Sequence, residues 1–180
     1  MRRVSKKIGD WLENRLINQE HGIILDDADL SSFDLIQDFI EANDHCFKTT
    51  VIYYNAFATE SAAEFSHTLQ EELTSKLGSH KLKLNLTLAE AIANAGLKMI
   101  IIDQSYLHPW ETTGEILRFL TEQQVALILV GAEVQMNSSL IMSHPATSSW
   151  HRLVVNTVNN LEITNNIVIV EQCNYLSITC

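Results

Sequence analysis

The chain has 180 residues, of which 46% are hydrophobic and 19% charged, and its formal net charge is −10. That length suits one domain around one core, and that composition excludes disordered and low-complexity classes. The negative balance also argues against direct duplex nucleic-acid binding by the acidic body, because such binding needs Lys and Arg to neutralise phosphates.

Four basic residues, Arg2, Arg3, Lys6 and Lys7, open the chain, and Val4, Ile8, Trp11, Leu12 and Leu16 follow at helical spacing. This pattern predicts an amphipathic helix over residues 1–20. Three roles are open to its apolar face: packing on its own domain, docking onto a partner protein, or touching an acidic surface such as nucleic acid or lipid.

Residues 21–180 read as a single α/β domain. Gly22-Ile23-Ile24-Leu25 predicts a buried strand. Ser31-Ser32-Phe33-Asp34 offers a helix cap ahead of Leu35, Ile36, Phe39 and Ile40, which share one helical face. A β-branched and aromatic strand over 50–54 comes next, then a helix over 61–77 that stacks Phe65, Leu69, Leu73 and Leu77. A connection over 78–86 leads to a helix that begins near Thr87 and ends at Gly96. The third strand falls at 98–102, a helix with proline in its first turn at 109–123, and the fourth strand at 125–130. The Asn-rich stretch 156–166 predicts turns, and a last strand falls near 167–170. Continuous apolar strands separated by helical crossovers predict a mostly parallel five-stranded sheet with helices on both faces, in three layers.

The longest apolar runs, such as Met99-Ile100-Ile101-Ile102, fall far short of the roughly 20 residues that span a bilayer, so no membrane role is expected. The basic start lacks the apolar stretch and cleavage site of a secretory signal, which points to a cytoplasmic protein. Cys46, Cys173 and Cys180 form no CxxC pair and read as free thiols. The seven histidines show no metal-binding spacing, and no GxSxG elbow is present.

In sheets of this class function gathers at the carboxyl ends of the strands. Those ends are acidic here: Asp26-Asp27-Ala28-Asp29 after the first strand, Asp103-Gln104 after the third, Gly131-Ala132-Glu133 after the fourth. The segments Ala95 to Gln104, Leu117-Arg118-Phe119-Leu120 and Val125 to Glu133 resemble the AAA-type P-loop ATPases that accompany transposases, the transposon-encoded TniB-type proteins. The resemblance covers about a third of the chain and implies a three-layer P-loop NTPase-like fold.

It also implies where a nucleotide would be held, and those positions depart from the family pattern. The phosphate loop GxxxxGK[ST] needs Gly, Gly, Lys and Ser/Thr where this chain has Asp26, Ser31, Ser32 and Phe33. The family's water-polarising Glu falls on Gln104, an amide that cannot act as a base, and its Thr-type sensor falls on Ala132. Asp103 takes the place of the magnesium-side carboxylate, and Arg152 that of an arginine in the family's Ser-Arg-Phe region. These residues form a vestigial site, and neither a bound cofactor nor catalysis is expected. The resulting reading is a catalytically degenerate ATPase-like adaptor or regulatory module whose partner is a protein, either an active AAA ATPase or a second copy of the chain.

An alternative rests on Asp27-Ala28-Asp29-Leu30-Ser31, which resembles the DxDx[ST] opening of haloacid-dehalogenase-type phosphatases. That resemblance implies Asp27 as nucleophile, Asp29 as general acid and base, and Asp103 as a ligand to Mg²⁺. The plainest reading of all three aspartates is that they cap a following helix or solvate a loop.

Overall fold

The computed structural model describes residues 2–26, 36–37, 40, 51–56, 61–76, 86–158 and 166–172. Its helices are α1 (Arg2–Asn18), α2 (Ala62–Lys76), α3 (Leu88–Ala95), α4 (Trp110–Glu122), α5 (Glu133–Ser138) and α6 (Leu140–Ser143). Its strands are β1 (Gly22–Asp26), β2 (Val51–Asn55), β3 (Met99–Asp103), β4 (Ala126–Ala132), β5 (His151–Val158) and β6 (Asn166–Gln172). They form one sheet in the order β2-β3-β4-β1-β5-β6. The first five strands run parallel, and β6 pairs antiparallel with β5.

Alternation along each strand divides the core between the two faces of the sheet. Ile23, Leu25, Ile100, Ile102, Leu127 and Leu129 face α2, α3 and α4, which contribute Phe65, Leu69, Leu73, Ile92, Ile116 and Leu120. Ile24, Met99, Ile101, Ile128 and Val130 face the other way, against Ile8, Trp11, Leu12 and Leu16 of α1 and against Ile36. Of the three roles open to the apolar face of α1, packing on its own domain is the one observed. The fold is therefore the expected three-layer arrangement with a five-stranded parallel core.

Local chemistry explains the helix boundaries. Thr87 and Glu90 form a reciprocal capping box at the start of α3, and Gly96 ends it with φ 69°, a left-handed conformation that costs glycine little. Ser61 and Glu64 make the same box ahead of α2, with Ser61 N–H donating to Glu64 Oε2 at 2.8 Å and Glu64 N–H donating to Ser61 Oγ at 3.2 Å. In both boxes the backbone hydrogen bond, then the side-chain one, holds the glutamate below its usual pKa. Pro109 stands immediately before α4, as its missing N–H and fixed φ favour.

Two departures from the sequence reading concern the last strands. The stretch expected to form turns begins inside a strand, because β5 runs through Val158, and the expected last strand is the antiparallel sixth strand. Polar His151, Arg152, Asn156 and Thr157 interrupt the apolar run that marks a buried strand, yet Leu153, Val154 and Val155 pack into the core. The remainder of the Asn-rich stretch, residues 159–165, lies outside the described residues.

His21 joins three of these elements at the amino end of the sheet. Its Nδ1 accepts the Leu127 N–H at 3.0 Å, its ring stacks on Trp150 at 5.0 Å, and its Nε2 lies 3.4 Å from Thr121 Oγ1. Burial lowers its pKa from the ordinary 6.5, because the charged imidazolium is poorly solvated there. The unfolded chain therefore binds a proton before the folded one does, and stability falls as pH drops below about 6.5 until the folded form also protonates. Urea denaturation between pH 7.5 and 5 is expected to show this loss, and His21→Asn, which keeps an acceptor for Leu127, is expected to flatten it.

Candidate functional site

The carboxyl ends of β1, β2 and β3 place Asp26, Tyr53 and Asp103 on the sheet face that also receives α1, each in phase with core residues of that face. Asn55 stands directly opposite Asp103 across the β2–β3 pair, and Asp26 opposite Ala132 across β1–β4. Residues far apart in sequence are thus gathered at one end of the sheet, where open parallel sheets form their crevices.

The Asp103 carboxylate is engaged on both oxygens. The Tyr53 hydroxyl donates to Oδ2, and the Gln104 backbone N–H donates to Oδ1 at 2.7 Å. Gln104 adopts φ 50°, left-handed for a non-glycine residue, which turns the chain from β3 into the short 3-10 segment Ser105–Leu107. Ser105 anchors that segment by donating its hydroxyl to Val130 O at 3.1 Å. The backbone carbonyl of Asp103 accepts Ala56 N–H at 3.0 Å, so the ends of β2 and β3 are tied by main chain as well.

Tyr53 is half-buried, and its phenol is pushed far above the ordinary value of 10. Burial is the largest cause, followed by the hydrogen bond to Asp103 and the negative charges of Asp103 and Asp26. The phenol is accordingly a neutral proton donor across the physiological range. Asp26 is buried at 8% exposure, at the point where the chain leaves β1. Among the described residues no group of three His, Cys, Asp or Glu side chains is arranged to hold a metal ion.

The sequence-identified residues divide into three sets. Asp26, Asp103, Gln104 and Ala132 lie at the carboxyl end of the sheet, with Ala132 leading into α5. Arg152 does not join them: it is the second residue of β5, opposite Ile23, toward the amino end of the strands. Its Nε is buried without a hydrogen bond among the described residues. Asp27, Asp29, Ser31, Ser32 and Phe33 lie outside the described residues.

Tyr53 was not among the sequence candidates, although it joins this site directly. The signal that could have raised it is the polar and aromatic ending Tyr53-Tyr54-Asn55 of an otherwise apolar strand. Gly131, in the Val-Gly-Ala ending of β4, has a steric role. A Cβ there would lie 2.9 Å from Tyr106 Cδ1 and 3.0 Å from Met136 Sδ, so any side chain would push apart the packing behind the site.

A shallow groove of about 290 Å³ lies elsewhere, between α2 and α4, with Ala62, Phe65, Ser66, Glu115, Ile116 and Phe119 in its lining. It opens on the opposite face of the sheet from Tyr53 and Asp103. The acidic end of the sheet is the better candidate, because several polar groups converge there. No helix among the described residues is long and apolar enough to cross a membrane.

The sequence matches no described protein family and no curated protein. Among solved structures the fold is similar to that of a KaiC-like protein from the hyperthermophilic archaeon Pyrococcus horikoshii. The two share 11% identity with a TM-score of 0.52, over 85% of this chain and 79% of that one. At that identity the likeness is one of fold, and the fold is P-loop NTPase-like, as the sequence resemblance implied. It lends no support to the phosphatase alternative.

Proposed function

We propose that this chain is a P-loop-type domain without nucleotide chemistry that works through protein contacts, as an adaptor or regulatory module. The observation that carries the reading is the engagement of Asp103. Its two oxygens already accept hydrogens from Tyr53 and Gln104, so the carboxylate that would face a nucleotide's magnesium ion is committed within the protein.

Three features support it. The residue after Asp103 is an amide, which cannot take a proton from an attacking water. The segment leaving β1 carries Asp26, Asp27 and Asp29 and lacks the Gly-Lys pair that cradles phosphates. Each carboxylate within about 4 Å of a phosphate charge costs roughly 1–4 kcal/mol at effective dielectrics of 80 to 20. Arg152, the one cation assigned to the site by resemblance, stands toward the other end of its strand.

On this reading the partner is a protein, either an active ATPase of the transposition-associated class or a second copy of the chain. Calorimetric titration with Mg·ATP, against Mg²⁺ alone, tests the nucleotide half. No saturable heat is expected in either arm, and saturable heat with Mg·ATP would sink the reading. Sedimentation equilibrium tests for the second copy as partner.

A further inference from the structure

We propose that Tyr53 closes the carboxyl end of the sheet by standing on Asp103 where a divalent cation would bind, so that an internal hydrogen bond takes the place of a ligand. The inference rests on the nucleotide-free reading above and names the residue that enforces it.

Tyr53 projects from β2, at one edge of the sheet, and its ring packs against the core cluster that includes Ile101 and Ile128. That packing fixes the ring, and the hydroxyl at its tip reaches Asp103 Oδ2 on the neighbouring strand. Gln104 N–H holds the other carboxylate oxygen at 2.7 Å, which leaves the carboxylate little freedom to rotate away from the phenol. A divalent cation needs carboxylate oxygens at roughly 2.0–2.6 Å, with waters completing its shell. The phenol oxygen sits at hydrogen-bond distance in that same first layer and takes a place beside Oδ2 for which the ion or its water would have to compete.

The charge balance agrees with this placement. Asp26 and Asp103 both bring carboxylates to this end of the sheet, where a hydrogen donor such as the phenol is a better neighbour for Asp103 than another acceptor. Without the hydroxyl, the partly buried Asp103 carboxylate would lose one of the two hydrogen bonds that hold it.

The test compares the full-length protein with Tyr53→Phe and with Tyr53→Phe/Asp103→Asn, titrating Mn²⁺ and reading free ion by electron paramagnetic resonance. Removing the hydroxyl is expected to tighten Mn²⁺ binding by on the order of tenfold or more, and Asp103→Asn is expected to abolish that gain. Equal binding by wild type and Tyr53→Phe would overturn the proposal, as would a gain that survives Asp103→Asn.

A second measurement, on the wild type alone, does not depend on how well the variants fold. Nuclear magnetic resonance of the wild type should show no saturable broadening of the Asp103 and Gln104 amide signals by Mn²⁺. Saturable broadening of those signals would also overturn the proposal. Neither failure would bear on the Mg·ATP result, and heat with Mg·ATP would defeat the nucleotide-free reading whatever Tyr53→Phe does.

Discussion

Leu12→Ala is expected to destabilise the protein by about 3 kcal/mol, within the range of roughly 2–5 kcal/mol for fully buried leucines. Leu12 is 0% exposed, and it lies with Ile8, Trp11 and Leu16 on the stripe of α1 that covers Ile24, Ile101 and Ile128. Its truncation leaves a hole between helix and sheet that rigid strands cannot close. Urea denaturation should show a lower midpoint with an unchanged slope. A loss below about 1 kcal/mol would mean that α1 is a detachable appendage in solution. Deleting residues 1–18 should be worse still, because it uncovers an apolar sheet face and promotes association.

The second large effect is expected from Gly22→Ala. A Cβ at position 22 would lie 2.5 Å from Trp11 Cη2, closer than packed atoms tolerate, and 3.3 Å from the His151 carbonyl oxygen, a tight contact. The indole has little room to withdraw. The Arg15 guanidinium stands 5.2 Å from its ring centroid, and Arg15 is itself buried and tied to Glu20 at 3.1 Å. We expect a loss of about 2–3 kcal/mol, in the upper part of the range for overpacked cores. Adding Trp11→Leu should make the pair non-additive, because the smaller side chain vacates the space the methyl needs. Strict additivity in a double-mutant cycle would show that Trp11 is not the obstacle.

Much of this fold is legible in one dimension, for local reasons. Thr87 with Glu90, Gly96 and Pro109 are punctuation whose meaning depends only on neighbouring backbone, and each marks a helix boundary where expected. The apolar runs of β1, β3 and β4 are equally plain, since strands buried on both faces carry no polar alternation. β5 was missed, so the sheet has six strands where five were expected, because polar residues flank its three core positions.

The site was legible only in part. Asp26, Asp103, Gln104 and Ala132 follow from their places at strand ends, whereas Arg152 required knowing where β5 begins. Tyr53 required the register of β2 on β3, with Asn55 opposite Asp103. A hydrogen bond between residues 53 and 103 depends on that register, which tertiary packing sets and sequence periodicity does not reveal.

The position of β1 in the middle of the sheet also governs when the fold can form. β1 pairs with β4 and β5, both of which lie roughly a hundred residues or more further along the chain. During synthesis at about 5–20 residues per second, β1 therefore waits several seconds or longer for either neighbour. Its apolar run and the stripe of α1 emerge first and complete their burial late. That apolar surface therefore stays uncovered while it waits, and slow, non-local strand pairing is expected to dominate refolding in the test tube.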